Sequence, residues 1–346
     1  MEWKDSYKKM SPIPLNLSNY TYQNLIDIII PVYNDRLGLK TTLGSLIGVQ
    51  RYNIIIIDDC STDKYDDIIQ FFGEDLTINY YRTECNGGPA VAKNAGIKHS
   101  LNKYITFMDA GDTFITPDII VALEKQLEDY KAADFLTSGY YEMCGDRSLL
   151  YIPHHNNTWR GKVYNRKYVL TNDLHFLEET SFSNDDIGMN MLGRLISDES
   201  RILTYDYPVM TWNYNANSVT RRNNYQSCFK DTSWGTVMAC QYALNQSLEL
   251  GVLPPKRQAL AYETMGILYF NYLNTKYTMP EYAQDCLDAS SYFYKNCFMR
   301  FPIDLELLLN VYNYTLLNKL QAETWDACVA ILNTDTFMDF LDAIKD

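Results

Sequence analysis

The chain has 346 residues, 47% hydrophobic and 21% charged, which excludes wholesale disorder and leaves enough apolar mass for two domains or one large domain with an appendage. Its 30 basic residues against 43 acids give a formal charge of −13, so the basic excess that binds a phosphate backbone is missing and nucleic acid is disfavoured as a partner. No apolar run approaches the ~18 residues of a membrane span, and the start MEWKDSYKKMSPIP carries charges where a secretory signal is apolar, so a cytoplasmic protein, free or peripheral to the membrane, is expected.

Ile26 to Val32 (IDIIIPV) is a β-branched run of strand length, and Tyr33, Asn34 and Asp35 after it suit a strand end and a helix N-cap. Leu39, Leu43, Leu46 and Ile47 stand at i, i+4, i+7 and i+8, the apolar stripe of a helix. Asn53 to Asp59 (NIIIIDD) reads as a second strand. A helix near Lys64 to Phe72, a strand near Thr77 to Arg82, a helix near Pro89 to Ser100 and a strand at Tyr104 to Asp109 continue the alternation. This is the pattern of a mostly parallel sheet flanked by helices, in which ligands bind outside the carboxyl ends of the strands. Polar residues gather directly after the runs, at Tyr33 to Asp35, Asp58 to Asp63 and Asp109 to Asp112, and so on one rim.

Beyond about Arg222 the spacing turns helical: Trp234 to Leu250, Lys256 to Lys276, Pro280 to Cys297, Ile303 to Leu320 and Ala322 to Ile344 are Leu-, Tyr- and Met-rich, with breaks at Gly251 to Pro255 and Met279 to Pro280. The fold class is therefore α/β, followed by an α-helical C-terminal region. Tyrosines in this half serve packing, with the hydroxyl at the surface. The eight cysteines form no CxxC pair and are expected as reduced thiols. His154 and His155 lie far from any clustered cysteine, which argues against zinc, and His175 is read with them as a surface or packing residue.

Two acids at a strand end, Asp58 and Asp59, followed by Cys60, Ser61, Thr62 and Asp63, also fit a capped strand-to-helix turn. The same is true of Asp109-Ala110-Gly111-Asp112, although two carboxylates there also suit a divalent cation bound to phosphate oxygens.

Taken in order, the motifs resemble the inverting, family 2 nucleotide-sugar glycosyltransferases of the GT-A fold. The resemblance rests on IDIIIPVYN (26–34), IIIIDDCSTD (54–63), NGGPAVAKNAG (86–96) and ITFMDAGD (105–112), then on GKVYNRKYVLTNDLHFLEE (161–179), NDDIGMNMLGR (184–194) and YPVMTWNYNANSVTRR (207–222). It implies a GT-A glycosyltransferase domain over 26–222, an N-terminal extension at 1–25 and a helical domain at 223–346.

Carried over residue by residue, the resemblance assigns the donor nucleotide to Pro31, Tyr33, Asn34, Asp58, Asp59, Lys93, Asp109 and Ala110. Tyr33 packs on the base and Asp59 accepts from the uracil imide N–H, which makes a UDP-sugar the expected donor. Asp109 and Asp112 flank the ribose and diphosphate and hold Mn²⁺ or Mg²⁺. Asp186 is the implied general base, with Asp185 at the family's usual Glu position, and Asn184 opens the motif. The acceptor is expected to be a glycan, a lipid-linked molecule or a protein.

The chain departs from the family at several points. Gly111 stands where the middle acid of Asp-x-Asp-Asp is common, Lys93 replaces an arginine, and Asn213 and Asn215 replace an Arg and a His, with Arg221 and Arg222 as cations nearby in sequence. These departures motivate a second reading, a glycosyltransferase-like scaffold without catalysis. A third, glycosylation of modified phage-type DNA bases, is opposed by the −13 charge. A nucleotidyltransferase needs a Gly-rich basic loop after its first strand, and PVYNDRLG is not one.

Overall fold

Seven consecutive residues, Ile26–Val32, are all buried and form β1, whose β-branched side chains suit a strand covered on both faces. The structure, a computed structural model, describes residues 21–48, 51–153, 157–178, 185–215, 225–312 and 336–345. Contacts divide the chain into two units, Met1–His175 with Ser197–Tyr214, and Phe176–Ile196 with Asn215–Asp346.

In the first unit β1 is followed by α1 (Arg36–Gly44), β2 (Asn53–Asp58), α2 (Asp66–Phe72), β3 (Thr77–Arg82), α3 (Pro89–His99) and β4 (Tyr104–Phe107). The expected alternation is present. Leu39, Leu43 and Leu46 of the expected stripe are fully buried, but α1 stops at Gly44 and Ile47 beyond it lies exposed. Asp35 caps α1, its carboxylate accepting from the Gly38 N–H at 2.7 Å, a device worth about 1 kcal/mol. Next come β5 (Thr113–Phe114), α4 (Ile119–Asp129), β6 (Phe135–Ser138), β7 (Tyr140–Met143), β8 (Leu149–Ile152), β9 (Lys162–Asn165), α5 (Arg166–Thr171), β10 (Ile202–Tyr205) and β11 (Met210–Trp212).

The main sheet has the order β10-β6-β9-β4-β1-β2-β3, with β9 antiparallel to both neighbours and the other pairs parallel. A smaller sheet runs β5-β11-β7-β8. From β1 the chain winds outward through β2 and β3, then returns to the other side of β1 with β4, so the winding reverses between β1 and β4. Such a switch point opens a crevice at the strands' carboxyl ends. The crevice has a covalent cause here as well. β1 and β4 pair in register as far as Ile29 and Phe107, and the Met108 N–H donates to the Ile29 carbonyl at 3.0 Å. The next rung requires the N–H of residue 31, which Pro31 lacks.

The second unit is helical: α6 (Ile187–Ile196), α7 (Tyr225–Glu249), α8 (Pro254–Thr278), α9 (Ala283–Asn296), a helical stretch at 305–312 and a last helix Phe337–Lys345. The first three helices expected after Arg222 thus appear with their breaks. The remainder of the last two falls outside the described residues. Tyr269 on α8 is the centre of an aromatic cluster, with its ring 5.3 to 5.9 Å from Phe270, Tyr312, Phe337 and Phe340. Among the described residues no helix is long and apolar enough to cross a membrane, and Cys60, Cys85, Cys144, Cys240, Cys286 and Cys297 are free thiols.

Candidate functional site

Three strand ends, those of β1, β2 and β4, meet at the crevice, and each delivers polar side chains that the backbone has fixed in place. After β1, Tyr33 is 49% exposed, and Asn34 takes a left-handed backbone with φ of 48°. The Asn34 side-chain oxygen accepts from the Thr62 N–H at 2.8 Å, and its backbone N–H donates to the Ser61 hydroxyl at 2.9 Å. These bonds tie the end of β1 to the turn after β2.

Asp58 and Asp59 are neighbours in sequence with separate partners. The fully buried Asp58 carboxylate accepts from the Ser61 N–H at 2.8 Å, the Tyr80 hydroxyl at 2.6 Å and the Arg82 guanidinium at 2.7 Å. Burial favours its neutral form, but the Ser61 and Tyr80 bonds and the Arg82 charge outweigh that, so the carboxyl sits below the usual carboxylate range. Burial and the bond to Asp58 push the Tyr80 phenol up to about 12. Asp59, 4% exposed, accepts instead from the Gly87 and Gly88 N–H groups at 3.0 and 2.7 Å, just before α3, with the Thr83 hydroxyl at 3.1 Å. A carboxylate offers about four lone-pair sites, so a further donor at its edge is accommodated.

After β4 the turn Asp109 to Asp112 closes through the Asp112 N–H on the Asp109 carbonyl at 3.0 Å, with Gly111 at φ of +104°, a conformation that favours glycine. The buried Thr42 hydroxyl of α1 accepts from the Gly111 N–H at 2.9 Å and donates to the Asp112 carbonyl at 2.7 Å. Asn213, just past β11, donates its backbone N–H to the Asp112 carboxylate at 3.0 Å and its side-chain amide to the Gly111 carbonyl at 2.8 Å. In the sequence Asn213 counted only as a lost cation; in the fold it fastens this turn.

Lys93, one of the residues that the resemblance assigns to the donor nucleotide, is 3% exposed and is therefore not a solvated helix lysine. Its Nζ lies 3.9 Å from one oxygen of Asp109 and 5.1 Å from the centre of the Trp159 ring. Arg160 reaches the other oxygen of Asp109 at 3.3 Å. Trp159 and Arg160 were missed in the sequence because the recognised motif begins at Gly161. No sequence pattern gives their place, which comes from the antiparallel register of β4 and β9: Thr106 pairs with Val163, and three further steps set residue 160 opposite residue 109.

Among the described residues no group of three His, Cys, Asp or Glu side chains is arranged to hold a metal. Asp109 and Asp112 offer hard oxygen donors, a set that fits a cation taking its remaining ligands from a diphosphate and water. Asp185 and Asp186 belong to the second unit, where both are buried just before α6 and the Asp186 carbonyl accepts from the Asn190 N–H and side-chain amide at 3.1 and 2.8 Å. Asn184, His154, His155, Arg221 and Arg222 lie outside the described residues, and His175 is half-buried.

Residues 27–187 match the Glycosyl transferase family 2 model. The chain is 32% identical over 161 residues to Glycosyltransferase GlyA of Streptococcus pneumoniae, covering 46% of this chain and 23% of that one. It is 31% identical over 132 residues to the putative teichuronic acid biosynthesis glycosyltransferase TuaG of Bacillus subtilis, 37% of this chain and 52% of that one. The chain thus spans about a quarter of GlyA and about half of TuaG. Among solved structures, S. aureus TarS 1-349 in complex with UDP-GlcNAc aligns with a TM-score of 0.63 at 16% identity, over 87% of this chain and 93% of that one. The mannosyltransferase PcManGT from Pyrobaculum calidifontis, in complex with GDP-Man and Mn²⁺, aligns with a TM-score of 0.52 at 15% identity, over 94% of this chain and 86% of that one. Residues 27–187 are thus similar to the family 2 glycosyl transferases, and the fold is of the GT-A type.

Proposed function

We propose that the protein transfers a sugar from a UDP-sugar to an acceptor hydroxyl with inversion at the anomeric carbon, through a GT-A domain over 26–222 followed by helices at 223–346. The observation that carries this reading is the meeting of Tyr33, Asp59, Lys93 and Asp109 at the carboxyl ends of β1, β2 and β4 within a family 2 segment. Tyr33 offers an exposed face for the base, Asp59 an acceptor for the imide N–H, and Asp58 holds the Asp59 turn through Ser61 and Arg82. Pro31, Asn34 and Ala110 shape the walls of the same crevice. Asp112 with Asp109 would hold Mn²⁺ or Mg²⁺, which would supply positive charge against the departing UDP.

Asp186 serves as the general base, with Asp185 beside it. As the acceptor oxygen attacks C1, Asp186 takes the hydroxyl proton, the bond from C1 to the phosphate oxygen breaks, and UDP leaves with the electron pair. A glycan, lipid-linked or protein acceptor supplies the hydroxyl. The UDP-GlcNAc complex of TarS and the GDP-Man complex of PcManGT, both on this fold, support a nucleotide-sugar donor.

The test is a panel of UDP-, GDP- and dTDP-sugars followed by thermal shift with Mn²⁺, then an anomeric assignment of the product by NMR. A UDP-specific rise in Tm and a β-linked product from an α-linked donor are expected; preference for GDP or retention at C1 overturns the corresponding part. Asp186→Asn lowers turnover by about 10²-fold or more with UDP affinity unchanged. A mutant with full turnover removes Asp186 from the mechanism. Donor turnover that is absent with every acceptor class favours the scaffold reading.

A further inference from the structure

Arg160 stands at the donor crevice because β9 runs antiparallel to β4, which carries the residues just before β9 back to the turn that ends β4. Its guanidinium lies over two indoles, 4.8 Å from the centre of Trp159 and 4.3 Å from that of Trp212. Rings on which a guanidinium stacks fix its position and strip part of its hydration, while its edge N–H groups remain directed outward. Of these, Nη2 faces Asp109, whose side chain is 34% exposed.

The contact to Asp109 is long. Charge-assisted N–H to carboxylate bonds run at about 2.7–2.9 Å, whereas Arg160 reaches Asp109 at 3.3 Å and Lys93 approaches its other oxygen only to 3.9 Å. One carboxylate is thus shared loosely between two largely buried cations from α3 and the β9 side. A diphosphate carries more negative charge than one carboxylate and presents the spaced oxygens that the arginine fork matches, so it is the stronger partner for the same pair.

We propose that Arg160 is a diphosphate-binding residue of the donor site, which exchanges its contact with Asp109 for the donor's phosphate oxygens. This rests on the donor reading above and adds a residue to it. Lys93 supplies only a point charge, and Asn213 and Asn215 supply none; the arginine fork comes from the strand-return segment instead. Asp109 is then the counter-ion of the donor-free site, and part of the affinity for a diphosphate is independent of metal.

The test is isothermal titration of the full chain and of Arg160→Gln, Arg160→Lys and Asp109→Asn with UDP, GDP, uridine and inorganic diphosphate, in EDTA and in Mn²⁺. Arg160→Gln is expected to lose at least 10-fold in affinity for UDP and for inorganic diphosphate while uridine affinity stays within twofold, with Arg160→Lys between. Asp109→Asn, which removes the competing carboxylate, is expected to bind inorganic diphosphate in EDTA at least as tightly as wild type. Arg160→Gln with wild-type UDP affinity, an equal loss of UDP and uridine, or weaker diphosphate binding by Asp109→Asn in EDTA overturns the proposal. Wild-type protein that binds inorganic diphosphate and GDP but not UDP sinks the uracil assignment and leaves the arginine standing; wild-type protein that binds no diphosphate sinks both.

Discussion

Asp58 and Asp59 occupy one strand end, yet the residues facing them give them separate tasks. Asp58 carries a carboxyl below the ordinary range, so its charge contributes stability in full above the unfolded carboxylate pKa of about 3.9 and loses it as pH falls through the lower folded value. Asp58→Asn is expected to cost about 1–3 kcal/mol at pH 7, the scale for a buried acceptor that loses its matched donors, and to flatten the acid limb of a urea-denaturation series between pH 5 and pH 2. Asp59→Ala frees the Gly87 and Gly88 N–H groups and is expected to lower Tm as well as abolish most of the UDP-dependent shift, both readable in one melting experiment. Gly111 explains a departure from the family pattern: at φ of +104° an aspartate is strained, so Gly111→Asp should destabilise by roughly 1–2 kcal/mol in chemical denaturation without adding metal affinity. The acids themselves were legible because strand ends announce them. Which of two adjacent carboxylates the fold consumes was not, since that depends on Tyr80 and Arg82 from a neighbouring strand.

Elements were legible where periodicity and local chemistry agree, as in β1, β2 and the Asp35-capped α1. They were less so where tertiary placement decides: β9 is four residues long, runs against its neighbours and carries no pattern that says so. Its register is nevertheless what brings Arg160 to Asp109, so the part of the site that escaped the sequence is the part built by a non-local pairing. The last glycine in NGGPAVAKNAG has a packing reason: a Cβ on Gly96 stands 2.2 Å from Ile29 Cγ2, so only glycine lets α3 lie this close to β1. Gly96→Val should cost about 1–3 kcal/mol by overpacking, measured as a lower urea midpoint at unchanged m-value.

At the scale of the molecule, a formal charge of −13 leaves acceptor recognition to local groups and not to a long-range field that draws anions. Duplex DNA with or without modified bases should therefore show no binding by fluorescence anisotropy at about 0.15 M salt, where screening leaves only contacts within about 8 Å; binding there would revive the DNA-base reading. The main sheet also has a history written into its order. Strands β3, β2, β1 and β4 join through near neighbours in sequence, but β6 has no place beside β4 until residues 162–165 insert between them, and β10 must follow to close the edge. Non-local closure is slow relative to βαβ closure. A chain leaving the ribosome can thus assemble the β1–β4 half of its crevice while the opposite wall is still unmade, and pulse-labelled hydrogen exchange should find amides of β1 and β2 protected before those of β6.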